Sequence, residues 1–203
     1  MTACWHVRKR VNEIFSHDGP DSELDVDSPV DECVLAMDEI ERWGAAFMFS
    51  VDETGEWYAE CLRAQRRNDG RWSEMGSSGT HGSEWPIPWA PPPEGWTGEP
   101  LLVLVSGGQS VDTATAENHM LQAVVGFADP SVESIRLVQG DLRRQVNVRS
   151  RQGAFVVMSL GVGPIELQAF NSTERKVGSA RQIVDPDHDP ARGGRAFTLR
   201  FRR

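Results

Sequence analysis

The chain has 203 residues, 25% of them charged, and a net charge of −9, and a chain of this length can bury a core without help from disulfides or metals. Its three cysteines, Cys4, Cys33 and Cys61, are odd in number and lack C-x-x-C spacing, which argues against a disulfide framework or a zinc knuckle and favours a reducing, cytoplasmic setting. So acidic a chain is a poor partner for nucleic acid, because neutralising phosphates requires a dense basic surface.

The N-terminal segment is predicted to form a short amphipathic helix over residues 4–15. Its apolar residues Val7, Val11, Ile14 and Phe15 recur at helical spacing. The segment has no apolar stretch of the length that a signal peptide needs, and the longest apolar run in the chain, 101–105, has about five residues. We therefore expect neither secretion nor insertion into a membrane.

A second helix is predicted from residue 28 to residue 43. Ser28 is suited to cap its start, Pro29 to occupy the first helical position, and Asp31 to interact with the positive helix end. Gly44 supplies a stop signal. The apolar stripe of this helix comprises Val30, Cys33, Val34, Met37 and Ile40.

An antiparallel meander is predicted after this helix, with strands over 45–51, 56–65 and 72–75 separated by turns. The period-two pattern puts Phe47, Phe49 and Val51 on one face of the first strand. It puts Trp57, Ala59 and Cys61 on one face of the second strand. Helix and meander together predict an α+β unit spanning residues 1–76.

Residues 77–100 are predicted to be a Trp/Pro-rich linker, because so much proline prevents a regular strand ladder. Trp85, Trp89 and Trp96 lie in this segment. Rigid aromatic side chains supply contact area at low entropic cost, so these three are the candidate binding residues. The alternative is that they pack as a plug between the two halves of the chain.

The C-terminal part, residues 101–203, shows apolar alternation about every ten residues, interrupted by turn signals. This pattern predicts an antiparallel β-sandwich. The whole chain is therefore predicted to be α+β, with an N-terminal helix and meander followed by a sandwich. The strands are predicted over 101–105, 122–127, 134–138, 145–149, 154–160, 165–170, 181–184 and 196–202.

The stretch AVVGFADPSVESIRL…GAFVV…GPIELQAF within residues 101–203 resembles immunoglobulin-like and transthyretin-like modules of bacterial proteins. It lacks the Cys…Trp…Cys core of antibody domains. Only Lys9 and Lys176 are lysine among 21 basic residues, as in uncharacterised proteins of high-GC bacteria. The resemblance implies a β-sandwich architecture and no particular activity.

Catalytic and metal motifs are weak in this chain. Ser78, His81 and Glu84 have the residue types of a hydrolase triad but not the G-x-S-x-G elbow. The acidic residues over 185–189 alternate as in a calcium loop, yet the loop glycine and the distal glutamate are missing. No cofactor and no metal site is predicted, and Cys33 and Cys61 are interpreted as small buried apolar residues.

Charge is divided unevenly along the chain. Residues 1–100 carry 8 basic and 20 acidic side chains, whereas residues 101–203 carry 13 basic and 10 acidic ones, so the halves have net charges of −12 and +3. Such asymmetry can steer association with a protein partner or a second copy. The leading hypothesis is a non-enzymatic cytoplasmic protein-interaction or adaptor protein. The alternatives are a hydrolase using residues 77–84 and a protein that binds a small ligand at the domain junction.

Overall fold

The computed structural model describes residues 11, 14–15, 33–52, 54–82, 100–113, 116–148, 153–161, 163–183, 197–198 and 200–202. Thirteen strands lie within these residues, all paired antiparallel. The strands are β1 (Cys33–Ile40), β2 (Trp43–Val51), β3 (Trp57–Arg66), β4 (Trp72–Gly82), β5 (Leu101–Thr113), β6 (Ala116–Ala128), β7 (Ser134–Gln139), β8 (Leu142–Asn147), β9 (Ala154–Leu160), β10 (Glu166–Phe170), β11 (Lys176–Ile183), β12 (Phe197–Thr198) and β13 (Arg200–Arg202).

The strands form three sheets stacked as layers. Sheet A has the order β1-β2-β3-β4, sheet B has β12-β5-β6-β9, and sheet C has β13-β11-β10-β7-β8. One apolar core lies between sheets A and B, and a second lies between sheets B and C. Sheet B is therefore the middle layer, and residues 121–128 of β6 are buried without interruption because side chains on both of its faces enter a core.

The predicted α+β class is wrong, because the described part of the chain is an antiparallel all-β structure. The helix predicted over 28–43 is wrong where the structure describes it: Cys33–Ile40 is strand β1, which pairs with β2 across a two-residue turn at Glu41 and Arg42. Glu41 takes a left-handed conformation in this turn, with a φ of 54°. Gly44, interpreted as a helix stop, pairs with Glu39 inside the ladder.

Strand β1 has apolar side chains on both faces, which explains the error. Leu35 and Ala36 belong to the core between sheets A and B, whereas Val34 packs on the outer face of sheet A. A register shift between Val34 and Ala36 further disturbs the alternation. Apolar residues on both faces of a bulged strand produce a spacing that is also compatible with a helix.

The predicted meander is confirmed as β2, β3 and the start of β4, with the predicted residues of β2 and β3 facing the core between sheets A and B. Three aromatic rings meet in this core. The ring centroids of Phe47 and Phe49 lie 5.1 Å and 5.9 Å from that of Phe127, which β6 contributes from sheet B. Aromatic packing thus joins residues from both halves of the sequence. The boundaries 1–76, 77–100 and 101–203 stay a prediction.

The outer face of sheet A is covered by residues that precede β1. Val11 and Phe15 are buried there against β2, β3 and β4. The ring of Phe15 lies 4.7 Å from that of Trp72 and occupies the space above Gly44 that a side chain would fill. Of the helix predicted over 4–15, the structure describes only Val11, Ile14 and Phe15.

An ion pair joins the edges of all three sheets. Asp38 on β1, the edge of sheet A, receives hydrogen bonds from both terminal nitrogens of Arg144 on β8, the edge of sheet C. The same carboxylate accepts the Met158 N–H of β9, the edge of sheet B, at 2.9 Å. The Arg144 guanidinium also donates to the carbonyl oxygens of Glu39 and Met158 at 2.9 Å and 3.2 Å.

The sandwich predicted for residues 101–203 corresponds to sheets B and C, which pack face to face and are antiparallel. Strand β9 has the predicted bounds, and β7 and β10 differ by one residue. Strands β5, β6 and β11 are longer than predicted, because the residues taken for loops continue the ladders. No described helix has the length and hydropathy needed to cross a membrane.

Candidate functional site

The structure separates the candidate hydrolase residues. Ser78 and His81 both lie on β4, where Ser78 pairs with Cys61 and His81 pairs with Tyr58. Cys61 faces the core between sheets A and B, so Ser78 shares that face and His81 lies on the opposite one. Glu84 lies outside the described residues. The geometry therefore does not bring the serine and the histidine together.

The other sequence candidates fall in different places. Trp85, Trp89 and Trp96 and the acidic stretch 185–189 lie outside the described residues. Cys61 is confirmed as a buried residue of the core. Among the described residues, no group of three His, Cys, Asp or Glu side chains could hold a metal ion.

The outer face of sheet C carries a cluster of charged side chains. Ile135, Leu137 and Leu167 point into the core between sheets B and C, so the residues that alternate with them point away from it. We call this surface the basic face. Its charged side chains are Arg136, Arg143, Glu166, Lys176 and Arg181.

Strand register arranges part of the basic face as a row across the sheet. The row contains Val138 on β7, which pairs with Arg143 on β8 and with Glu166 on β10. On the other side of Glu166, strand β11 places Arg181 opposite it. Strand β13 then places Arg202 opposite Arg181 in the register. The next row reads Gln145, Arg136, Gln168 and Ser179. Arg143 and Arg181 are exposed and Arg136 is half-buried.

The single acid of the described basic face is neutralised locally. Glu166 Oε1 accepts hydrogen bonds from Gln168 Nε2 at 2.9 Å and from Lys176 Nζ at 3.4 Å. The Gln168 hydrogen bond is the largest cause that lowers the pKa of Glu166 below its ordinary value, with smaller contributions from Lys176 and Arg181. Glu166 is thus a carboxylate paired with Lys176, which leaves the arginines as the excess charge of this face.

The arginines of the basic face are held in place by neutral neighbours. The Arg136 guanidinium lies 4.4 Å from the ring centroid of Phe170 and donates to Gln145 Oε1 at 3.5 Å. Arg143 donates to the backbone carbonyl of Leu142 at 2.9 Å. These contacts orient the guanidinium groups without cancelling their charge. The face can therefore attract carboxylates, which arginine binds through two parallel hydrogen bonds.

Comparison with protein-family models, with curated proteins and with solved structures finds no match to this chain.

Sequence reasoning did not identify the basic face. Its signal was present as a period-two pattern, since Arg136 alternates with Ile135 and Leu137. The pairing of β8 with β7 and of β11 with β10 brings arginines from distant segments together, and one sequence does not specify that pairing.

Proposed function

We propose that this protein is a non-enzymatic, cytoplasmic interaction protein that binds an acidic polypeptide segment on the basic face of sheet C. The observation that carries the proposal is the excess of arginine on a strand surface whose only described acid, Glu166, is already paired with Lys176. The immunoglobulin-like resemblance of residues 101–203 fits a scaffold that presents such a surface.

An acidic segment is the partner chemistry that the face favours. Guanidinium groups pair with carboxylates in two-point geometry, and opposite potentials accelerate encounter. The chain itself provides a suitable probe, because residues 17–32 carry seven acidic side chains and no lysine or arginine. Exposed charge pairs contribute about 0.2–1 kcal/mol each. A few such pairs contribute about 1–3 kcal/mol, which together with the polar contacts around them corresponds to a dissociation constant of about 1 mM.

The test is a fluorescence-anisotropy titration of a labelled peptide with the sequence of residues 17–32. We expect binding at low ionic strength that weakens by about tenfold or more near 0.3 M salt, because screening removes most of the attraction between exposed charges. The double variant Arg136→Glu/Arg181→Glu should reduce affinity by at least about tenfold.

The matched control is Arg67→Glu/Arg71→Glu, which changes net charge by the same amount at two exposed residues of the β3–β4 turn. It should bind the peptide almost as well as the unaltered protein. Failure of the unaltered protein to bind at low salt, or equal loss in both double variants, would refute the proposal.

A further inference from the structure

Arg63 on β3 is a buried cation inside the fold. It lies two residues from Cys61, on the side of sheet A that faces sheet B, and none of its surface is exposed. Its partner in the register is Gly76 of β4, and a register shift follows between Arg63 and Ala64. Buried arginines in proteins are normally paired with a carboxylate or satisfied by several acceptors.

Among the described residues, the Arg63 guanidinium lacks such partners. Its Nη2 donates a long hydrogen bond of 3.4 Å to Ser78 Oγ, and its Nε and Nη1 have no hydrogen-bond partner in the described part of the chain. The neighbouring thiol does not compensate the charge, because burial raises the pKa of Cys61 to about 12 and keeps the thiol neutral at physiological pH. The same desolvation lowers the pKa of Arg63. An arginine nevertheless remains protonated in proteins, so a buried positive charge stays unbalanced.

The backbone around the guanidinium is glycine-rich on two sides. A side chain at Gly107 of β5 would overlap Arg63 Nη1 and would lie 2.6 Å from Ser78 Oγ. A side chain at Gly76 would lie 3.7 Å from Nη2. Glycine at both positions allows backbone from sheets A and B to approach the charged group. Ser78 is only half-buried, so it marks the side of the site that is nearest to solvent.

A further polar group lies on the same face of β5. Gln109 is two residues from Gly107, within the regular part of the ladder, so both face sheet A. The Oε1 atom of Gln109 is buried and has no hydrogen-bond partner among the described residues, so the region between these strands is polar. The unpaired buried donors of Arg63 indicate a missing polar acceptor, because such groups are satisfied in folded proteins.

We propose that Arg63, with the Ser78 hydroxyl, binds a small oxyanion between β3, β4 and β5. The ligand class is a carboxylate or phosphate group, whose oxygens accept the N–H groups of Nε and Nη1 while the serine hydroxyl donates a further hydrogen bond. This site lies between sheets A and B, whereas the basic face lies on the far side of sheet C, so the inference goes beyond the proposed function.

The test measures the melting temperature of the purified protein in acetate and, separately, in phosphate, with chloride holding ionic strength constant. A bound oxyanion should raise the melting temperature in a saturable manner. A response to acetate alone indicates that the site takes a carboxylate, and a response to phosphate alone indicates that it takes a phosphate group. In a second measurement the purified protein is unfolded, and any anion that it releases is identified by ion chromatography. About one anion per chain is expected.

Arg63→Met is the decisive variant. It should neither respond to the oxyanions nor release one, and without added oxyanion it should be at least as stable as the unaltered protein, because an apolar side chain replaces an unpaired buried charge. Arg67→Met, at an exposed residue next to β3, is the control and should keep the response. Ser78→Ala should weaken oxyanion affinity by about 2- to 10-fold, the loss of one hydrogen bond.

Two results would overturn the inference. One is an oxyanion response in Arg63→Met equal to that of the unaltered protein. The other is an unaltered protein that neither responds to acetate or phosphate nor releases an anion on unfolding. If Arg63→Met does not fold, the Ser78→Ala variant decides the question, and unchanged affinity in that variant would equally count against the site.

Discussion

The Asp38–Arg144 ion pair should be a main stabilising contact among the three sheets. Asp38 accepts four hydrogen bonds, two from Arg144 and one each from the backbone N–H groups of Met158 and Glu39. Asp38→Ala leaves the guanidinium and the Met158 N–H without this acceptor at the place where β1, β8 and β9 meet. We therefore expect the substitution to destabilise the whole stack.

The expected cost follows from burial. Removing one partner of a fully buried ion pair destabilises a protein by about 3–5 kcal/mol. The Asp38 side chain is 9% exposed but that of Arg144 is 25% exposed, so water can partly rehydrate the orphaned guanidinium. This places the expected loss for Asp38→Ala near the lower end, at about 3 kcal/mol.

The assay is urea unfolding followed by tryptophan fluorescence, since Trp43, Trp57 and Trp72 are buried. A double-mutant cycle of Asp38→Ala with Arg144→Ala should give a coupling of about 1.5–3 kcal/mol. The more exposed pair Glu166–Lys176, joined at 3.4 Å, is the internal control and should couple by less than about 1 kcal/mol. A coupling for Asp38 and Arg144 that is no larger than that of the control pair would refute the reasoning.

Three further substitutions test other parts of the fold. Burial raises the pKa of Cys61 from an ordinary 9.0 to about 12, so the stability that the neutral thiol contributes is complete below pH 9 and falls by about 1.4 kcal/mol per pH unit above it. Urea unfolding at pH 8 and pH 10 should show this loss, and Cys61→Ala should remove it. The same pH dependence of the unfolding free energy in Cys61→Ala and in the unaltered protein would contradict the account. Gly126→Ala would push a methyl group into the Leu102 carbonyl of β5 and should lower the free energy of unfolding by at least about 2 kcal/mol in the same assay. A nearly unchanged free energy of unfolding would contradict the close pairing of β5 with β6. Phe15→Ala removes a ring that packs on Trp72 and should cost about 3 kcal/mol, and a loss below about 1 kcal/mol would mean that the outer face of sheet A is not covered as described.

The meander was predictable because turn signals separate its strands and because core residues recur at every second position. The structure places Phe47 and Phe49, like Ala59 and Cys61, on the expected faces, although Met48 is buried on the opposite face of β2. Strand β1 was not predictable in the same way, because its residues pack on both sides of sheet A and a register shift also interrupts their alternation. A bulged strand with apolar residues on both faces can imitate a helix.

The extension of β4 and β5 through glycine-rich sequence also escaped prediction. Gly76, Gly79 and Gly107 look like loop residues in isolation. In the structure, neighbouring side chains occupy the space above them: Tyr58 lies over Gly79, and Arg63 lies over Gly107. At these positions glycine is required because a group from another segment comes close to the strand backbone. That approach depends on tertiary packing and is not visible in the local sequence.

The candidate sites were less accessible to sequence reasoning than the fold. Arg63 follows the apolar positions Ala59 and Cys61 in period two, so a buried arginine could have been suspected. Its lack of a carboxylate partner depends on sheet B, which no local pattern reveals. The basic face likewise requires knowledge of which strands are neighbours in sheet C.

The most direct test of the central claim is a charge swap on the basic face. The unaltered protein and the Arg136→Glu/Arg181→Glu variant are each titrated with the acidic peptide of residues 17–32 and with a version in which every acid is replaced by lysine. The account predicts that the ratio of affinities for the acidic and the basic peptide falls by about tenfold or more from the unaltered protein to the variant at low salt. A variant that still binds the acidic peptide as tightly as the unaltered protein would contradict it.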